Sequence, residues 1–231
     1  MQLFYSEHIH TKDTTYTFPK DESKHIVRVL RKKEEDILQV TNGKGNLFTV
    51  KITMASNSNC TVDIVKYETF AKHKYYLHIA IAPTKNNDRL EWFLEKATEI
   101  GIDEITPIIC DNSERKIIKK ERLDKIVQSA MKQSLQYHLP IVNDAITLKD
   151  FLKNKQDGSL YIAHCEKDSK DELKLLVKEK QTILIGPEGD FSISEIENAI
   201  QNNYQPISLG NTRLRTETAG IVACHTVALL Q

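Results

Sequence analysis

The sequence lacks the marks of several function classes. Its four cysteines (Cys60, Cys110, Cys165, Cys224) stand far apart and form no C-x-x-C pair. Neither a zinc site nor a disulfide framework is indicated, and buried reduced thiols in a cytosolic protein are the simplest reading. No apolar run approaches the ~18 residues that a membrane span needs. Residues 1–15 hold no apolar core of a signal peptide. There is no net charge: 32 basic residues balance 32 acidic ones. Nucleic-acid proteins usually carry a basic surplus, so any RNA contact here must come from local patches. No G-x-G-x-x-G follows a strand and no G-x-x-x-x-G-K-[ST] is present, which removes Rossmann-type nucleotide sites and P-loop hydrolysis. There is no internal repeat and no low-complexity segment. Glycine is scarce: the chain has eight, and four of them lie within residues 182–220.

What is present suits one or two globular domains. The chain has 231 residues, 40% apolar and 28% charged, enough for a sizeable core. The first 70 residues read as β-rich. Ile37–Val40, Leu47–Met54 and Cys60–Tyr67 are strand-like, and turn-forming residues separate them at 42–45 and 56–59. An antiparallel meander closing into a small barrel is expected. A short helix is expected at Glu22–Lys33, with Ile26, Val29 and Leu30 inward. Its other face, His25, Arg28 and Lys32 with Arg31 beside them, is either a solvated charge cluster or a phosphate-contacting patch. Residues 68–75 read as a linker.

Beyond the linker, strands alternate with helices, which implies a mainly parallel sheet covered on both faces. Strands are expected at Tyr76–Ala82, Ile105–Cys110 and Leu160–Cys165. Helices are expected from Asn87 to Ile100, from about Lys120 to Tyr137 and around Glu172–Lys178. Lys85, Arg89 and the run Ser113–Lys116 would follow strand carboxyl ends, as ordinary soluble loops or as part of a binding rim. His138 and His225 have no triad or metal partner at recognisable spacing, and His225 is expected in the core or an interface.

The four clustered glycines sit in the stretch that organises the chain. Thr182–Ile185 is strand-like and ends at Gly186-Pro187-Glu188-Gly189. Ser192 and Glu195 have capping-box spacing ahead of a helix with Ile196, Ala199 and Ile200 on its apolar face. A second strand, Pro206–Leu209, ends at Gly210, and a last helix begins near Thr216. If the two strands are adjacent, their glycine loops form a crevice at the carboxyl edge of the sheet, where open α/β sheets bind ligands. Each loop alone fits a plain strand-to-helix turn. Glu217, in the first turn of an apolar helix, suits the helix dipole as well as a site.

IGPEG followed by E-x-x-x-A and then LG-x-x-x-LR-x-ETA resembles the signature of the 16S ribosomal RNA (uracil-N3)-methyltransferases, of the SPOUT class. The matching residues are Gly186, Pro187, Glu188, Gly189, Leu209, Gly210, Leu214, Arg215, Glu217, Thr218 and Ala219. HIVRVLR near the N-terminus, K-x-x-x-R before KATEIG, and SER after the second strand of the α/β region resemble the family as well. The resemblance implies a trefoil-knotted α/β methyltransferase domain over residues 72–231 and a PUA-like β-barrel that binds RNA over residues 1–71. It implies a cytoplasmic homodimer that methylates N3 of a uridine in 16S ribosomal RNA of the small subunit. S-adenosylmethionine is the implied cofactor; no metal and no membrane are expected. Ile185, Gly186–Gly189, Leu209, Gly210, Leu214, Thr218 and Ala219 would line the cofactor loops, partly because glycine permits close approach and unusual dihedrals. Arg28, Arg31, Lys85, Arg89 and Arg115 would contact RNA. Arg215 would stabilise charge on the base, and Glu217 would either orient Arg215 or accept the N3 proton. The chain departs from the pattern at Asp190, where a second glycine is common. It also departs at Gln136, where arginine is common and His138 is the nearby substitute, and at Thr212-Arg213. A methyltransferase for another RNA, such as transfer RNA, and a non-enzymatic assembly factor are the competing expectations.

Overall fold

The computed structural model describes residues 2–166 and 169–231. It contains two compact units, one formed by Met1–Lys72 with Met131–Leu139 and the other by His73–Ala130 with Pro140–Gln231.

The first unit is a five-stranded sheet. Its strands are β1 (Leu3–Tyr5), β2 (Thr15–Thr17), β3 (Ile37–Thr41), β4 (Asn46–Met54) and β5 (Thr61–Thr69), ordered β1-β3-β4-β5-β2. β3, β4 and β5 form the expected antiparallel meander. β1 departs from it, because it pairs parallel to β3. The connection between them is long enough to hold helix α1 (Lys20–Lys24) and a π-helical turn (His25–Val29), as a parallel return requires. Alternate strand residues Leu38, Val40, Phe48, Val50, Ile52 and Val62 meet Phe4, Phe18 and Ile26 in the core.

Three expectations for this unit change. The helix over 22–33 stops near Leu30, which donates its N–H to the His25 carbonyl five residues back. A π-type turn advances each residue by a smaller angle than an α-helix. Ile26 therefore stays buried while Val29 turns outward, 63% exposed. Arg31, with φ of 56°, closes the turn. The linker starts later than residue 68, since β5 runs to Thr69. The helix after Lys120 ends at Gln133 rather than Tyr137. Leu135 adopts a left-handed φ of 57°, and the chain then runs extended against a hairpin turn of this unit. There Gly45 N–H donates to the Tyr137 carbonyl and Leu139 N–H to the Gly43 carbonyl. Tertiary pairing overrides helical periodicity at that point.

The second unit is an eight-stranded sheet. Its strands are β6 (Tyr76–Ile81), β7 (Glu104–Ile109), β8 (Ile141–Val142), β9 (Ile146–Thr147), β10 (Ser159–Ala163), β11 (Asp171–Glu172), β12 (Lys180–Ile185) and β13 (Gln205–Ser208). The order is β11-β13-β10-β12-β6-β7-β8, with β9 also paired to β7. Every pairing given for these strands is parallel. The helices are α2 (Asn87–Ile100), α3 (Lys120–Gln133), α4 (Leu148–Lys153), α5 (Ile193–Gln201) and α6 (Thr216–Leu230).

Strand residues alternate between the two faces. Ala80, Ile108, Ile162 and Leu184 meet Phe151 of α4 and Ile196 and Ala199 of α5 on one face. On the other, Gly220 of α6 lies against Phe93 of α2 and Ile81 of β6. α2 is capped by Asn86, whose side chain accepts from Asp88 N–H; Gly101 ends the helix at φ 114°. The segment 172–178 forms only the short strand β11 and one 3-10 turn rather than a helix. Ile200 is exposed, not inward, and of the two places expected for His225 the core is excluded, since it is exposed. Their helices bury other positions, Ile196 and Ala199 in α5 and Ala223, Cys224 and Val227 in α6. Cys165 is exposed while the other three thiols are buried.

The most consequential correction concerns strand order. β12 and β13, which carry the two glycine loops, are not adjacent, because β10 lies between them. The crevice therefore opens over the end of β10.

Candidate cofactor and substrate cleft

In the parallel second unit all strands end on one edge, so the loops after β6, β7, β10, β12 and β13 gather there. Side chains bind these loops to one another. Glu188 accepts the Lys85 N–H at 3.0 Å, and Arg115 donates to the Lys85 carbonyl at 3.0 Å. Asn112 donates to the Asp190 carbonyl at 3.0 Å. The Asp190 carboxylate accepts the Cys165 N–H at 2.7 Å. Thr216, the first residue of α6, donates its hydroxyl to the Gly186 carbonyl at 3.0 Å. Ser192 and Glu195 form the expected capping box on α5. Glu195 also accepts Asp111 N–H, which draws in the β7 loop.

Between these loops lie two joined cavities. One, of about 270 Å³, is lined by Ala163, Cys165, Ile185 to Glu188, Asp190 and Arg213 to Thr216 with Ala219. The other, of about 480 Å³, extends along Ile207 to Leu214, with His164 and Lys170 also in its lining. Ile185, Gly186, Pro187, Glu188, Leu214 and Ala219 thus line the first cavity, and Leu209 and Gly210 line the second. Gly189 lies against Asn112 outside both.

The glycines work differently from the expectation. A Cβ on Gly186 would come within 3.0 Å of the Phe191 ring, so that glycine permits packing from behind. Gly210 is the one with the unusual dihedral, φ 133°, and a Cβ there would meet nothing within 4 Å. Ala163, His164, Cys165 and Lys170 were not found from the sequence. The only signal for them is that β10 ends there, and the assumed adjacency of the glycine strands hid it. Partial desolvation and the neighbouring Asp190 charge push the Cys165 thiol up.

A third, more open cavity of about 700 Å³ adjoins these through Arg213, Leu214 and Arg215. Asp88, Arg89, Trp92, Glu217 and Thr218 complete it. Arg215 lines both the 270 Å³ cavity and this one. Thr218 lines only the outer one of these three. Glu217 is buried, 6% exposed. One carboxylate oxygen stands 3.8 Å from Arg89 Nε, and the other has no hydrogen-bond partner among the described residues. Its close cation is therefore Arg89, and no ion pair joins it to Arg215. Trp92, 45% exposed, was also missed, since on sequence it is one aromatic residue in an amphipathic helix.

Of the expected RNA contacts, Arg28 and Arg31 are exposed in the first unit, and Arg89 faces the outer cavity. Lys85 pairs with Glu114 at 2.8 Å, which raises its pKa. Arg115 is tied inward by its bond to the Lys85 carbonyl. His138 is directed to the Phe70 carbonyl at 3.0 Å, so its ring holds its own unit together. Among the described residues no group of three or more metal-ligating side chains occurs. No helix among them is long and apolar enough to cross a membrane.

A parallel α/β unit with a cleft of loops at the carboxyl ends of its strands has the site of a ligand-binding α/β protein. The chain belongs to the RNA methyltransferase family: the RNA methyltransferase domain matches residues 71–228 and the RNA methyltransferase PUA domain matches residues 18–65. Ribosomal RNA small subunit methyltransferase E of Rickettsia conorii is 35% identical over 215 residues, covering 91% of this chain and 88% of its own length. A Porphyromonas gingivalis structure described as a probable rRNA-methyltransferase superposes with a TM-score of 0.90 at 41% identity, covering 100% of this chain and 98% of that one. Ribosomal RNA small subunit methyltransferase E of Neisseria gonorrhoeae, solved bound to S-adenosyl methionine, gives a TM-score of 0.83 at 25% identity over 97% of this chain and 95% of its own.

Proposed function

We propose that this protein transfers a methyl group from S-adenosylmethionine to N3 of a uridine in 16S ribosomal RNA. The observation that carries the reading is the junction of the clefts at Arg215. The inner cavity meets a more open one lined by three arginines (Arg89, Arg213 and Arg215), a buried carboxylate and an exposed indole.

The cleft suits the cofactor. The two joined cavities fall in the size range of small-ligand sites. Ala163, Ile185, Leu214 and Ala219 offer an apolar wall, and Glu188 and Asp190 lie in the same lining as Arg213 and Arg215, so charges of both signs face the ligand. When bound, S-adenosylmethionine supplies an electrophilic methyl group. Ile185 to Glu188 and Leu209 to Leu214 hold the cofactor, largely through backbone groups. The target base, unstacked from its RNA, enters the outer cleft. Holding it at ~3–3.5 Å from the reacting methyl accounts for much of the rate. Arg215 stabilises negative charge as it develops on the base. Glu217 takes the N3 proton on its unpartnered oxygen, and Arg89 orients the carboxylate.

The same reading assigns RNA docking to the N-terminal unit through Arg28 and Arg31. It makes residues 72–231 a trefoil-knotted methyltransferase domain and the active species a cytoplasmic homodimer. The parallel order β13-β10-β12-β6-β7 is compatible with such a knot. Equilibrium sedimentation at micromolar concentration should give a dimer; a monomer there contradicts this part of the proposal. The catalytic part is tested with Arg215→Ala and Glu217→Gln. Both should still bind S-adenosylmethionine while methyl transfer to unmodified small subunits falls. Normal transfer rates would refute the assignment.

A further inference from the structure

Asp190 stands in a backbone conformation that side chains seldom adopt, with φ 63°. Glycine takes this conformation without steric cost, and aspartate tolerates it better than most residues. The side chain has a specific occupation there. Its Oδ2 accepts the Cys165 N–H at 2.7 Å, and its Oδ1 accepts the Phe191 N–H at 2.8 Å. The backbone around it is also fixed: Asp190 N–H donates to the Pro187 carbonyl at 2.9 Å, and its own carbonyl accepts from Asn112. One carboxylate therefore ties the loop after β10 to the loop after β12. These are the two strands whose ends form the floor of the cofactor cleft. Cys165, the residue it holds, lines both inner cavities.

We infer that Asp190 is a positioning residue for cofactor binding: its carboxylate sets the β10 loop against the β12 loop so that the cleft is formed before the cofactor arrives. This rests on the reading of that cleft as the S-adenosylmethionine site. A glycine at this position would satisfy the backbone equally well but would leave both the Cys165 N–H and the Phe191 N–H without their acceptor, and of the two only the Cys165 bond joins the two loops. The backbone at Cys165 would then have to be held in place at the expense of binding. An asparagine keeps the left-handed backbone. It presents an amide NH2 to one of the two donors, so only one of the two bonds survives.

The test uses the full-length protein and S-adenosylmethionine itself, with Asp190→Gly and Asp190→Asn. Calorimetric titration should show about tenfold weaker binding for Asp190→Gly, the loss expected for one charge-assisted hydrogen bond, with Asp190→Asn in between. The KM for S-adenosylmethionine should rise while kcat stays within about twofold, because Asp190 does not face the outer cleft. Without cofactor, the Cys165 amide should exchange hydrogen faster in Asp190→Gly. The melting temperature should not fall, since glycine relieves the left-handed backbone. If Asp190→Gly does melt lower, Asp190→Asn decides: weaker binding at unchanged melting temperature supports the inference. Parental affinity in either variant, or parental exchange at Cys165 in Asp190→Gly, overturns it. A parent protein that fails to bind S-adenosylmethionine overturns the cofactor reading as well, so the two failures are distinguishable.

Discussion

Glu217 is buried at the start of α6, 3.8 Å from Arg89 Nε, and one of its oxygens has no hydrogen-bond partner among the described residues. A carboxylate so placed is poorly solvated, and a base that delivers a proton completes its hydrogen bonding. Replacing it with glutamine keeps the shape and removes the acceptor. Glu217→Gln should lower kcat by about 10²–10⁴-fold, with S-adenosylmethionine affinity little changed, as single-turnover kinetics and calorimetry would show. Arg215→Ala should lower kcat by about 10²–10³-fold. A change confined to KM in either variant would place the residue in binding rather than chemistry. Most of these residues were legible in the sequence, because Arg215, Glu217 and Gly186 to Glu188 sit in compact motifs. Their division of labour was not: the partner of Glu217 is Arg89, 128 positions away in the chain, as the residue numbers give (217 − 89). The roles of the glycines also needed coordinates, since Gly186 is required by the Phe191 ring and Gly210 by its own dihedral.

At the level of elements, α5 shows a local signal surviving intact: S-x-x-E predicted a capping box, and the box is present. Ser192→Ala should cost about 1 kcal/mol, read as a lower denaturant midpoint. Gly220 shows a signal that was absent. A Cβ there would stand 2.5 Å from the Phe93 ring, so Gly220→Ala forces α6 away from α2. It should destabilise the protein by about 1–3 kcal/mol, visible in thermal unfolding. β6 and β7 carry a polar cluster that no motif announced. Buried His78 bonds Thr106 at 2.7 Å, and Asn143 donates to Glu104 at 2.6 Å. Tyr76 donates its hydroxyl to Glu104. Burial lowers the His78 pKa, with Glu104 partly opposing it. Burial alone would raise Glu104, but the hydrogen bonds from Tyr76 and Asn143 and the nearby His78 bring it below its ordinary value. In both cases the unfolded chain holds its proton more tightly. Stability is therefore fully present above about pH 6.5 and is lost as the pH falls, first through His78 and then through Glu104 below about pH 4.5. His78→Gln should flatten the dependence of melting temperature between about pH 7 and 5. An unchanged slope would show that His78 does not titrate with folding.

Over the whole molecule, 32 basic and 32 acidic residues leave no net field, so affinity for RNA depends on where cations cluster. Arg28 and Arg31 lie exposed at the end of the π-helical turn in the small unit. Arg28→Ala and Arg31→Ala should each weaken binding to small subunits and reduce the salt slope by about one, measured by filter binding across a salt series. The alternation of strands and helices made a parallel sheet legible from sequence. Strand order was not, because non-local pairing leaves no trace in periodicity, and β10 lies between β12 and β13. The division at residues 131–139, where the chain returns to the small unit, was hidden for the same reason.

The most direct test is methyl transfer from labelled S-adenosylmethionine to small ribosomal subunits from a strain lacking this gene, followed by nucleoside analysis of the 16S ribosomal RNA. The account predicts label in 3-methyluridine. Cofactor binding with no labelled 16S ribosomal RNA, or label in any other nucleoside, would contradict it.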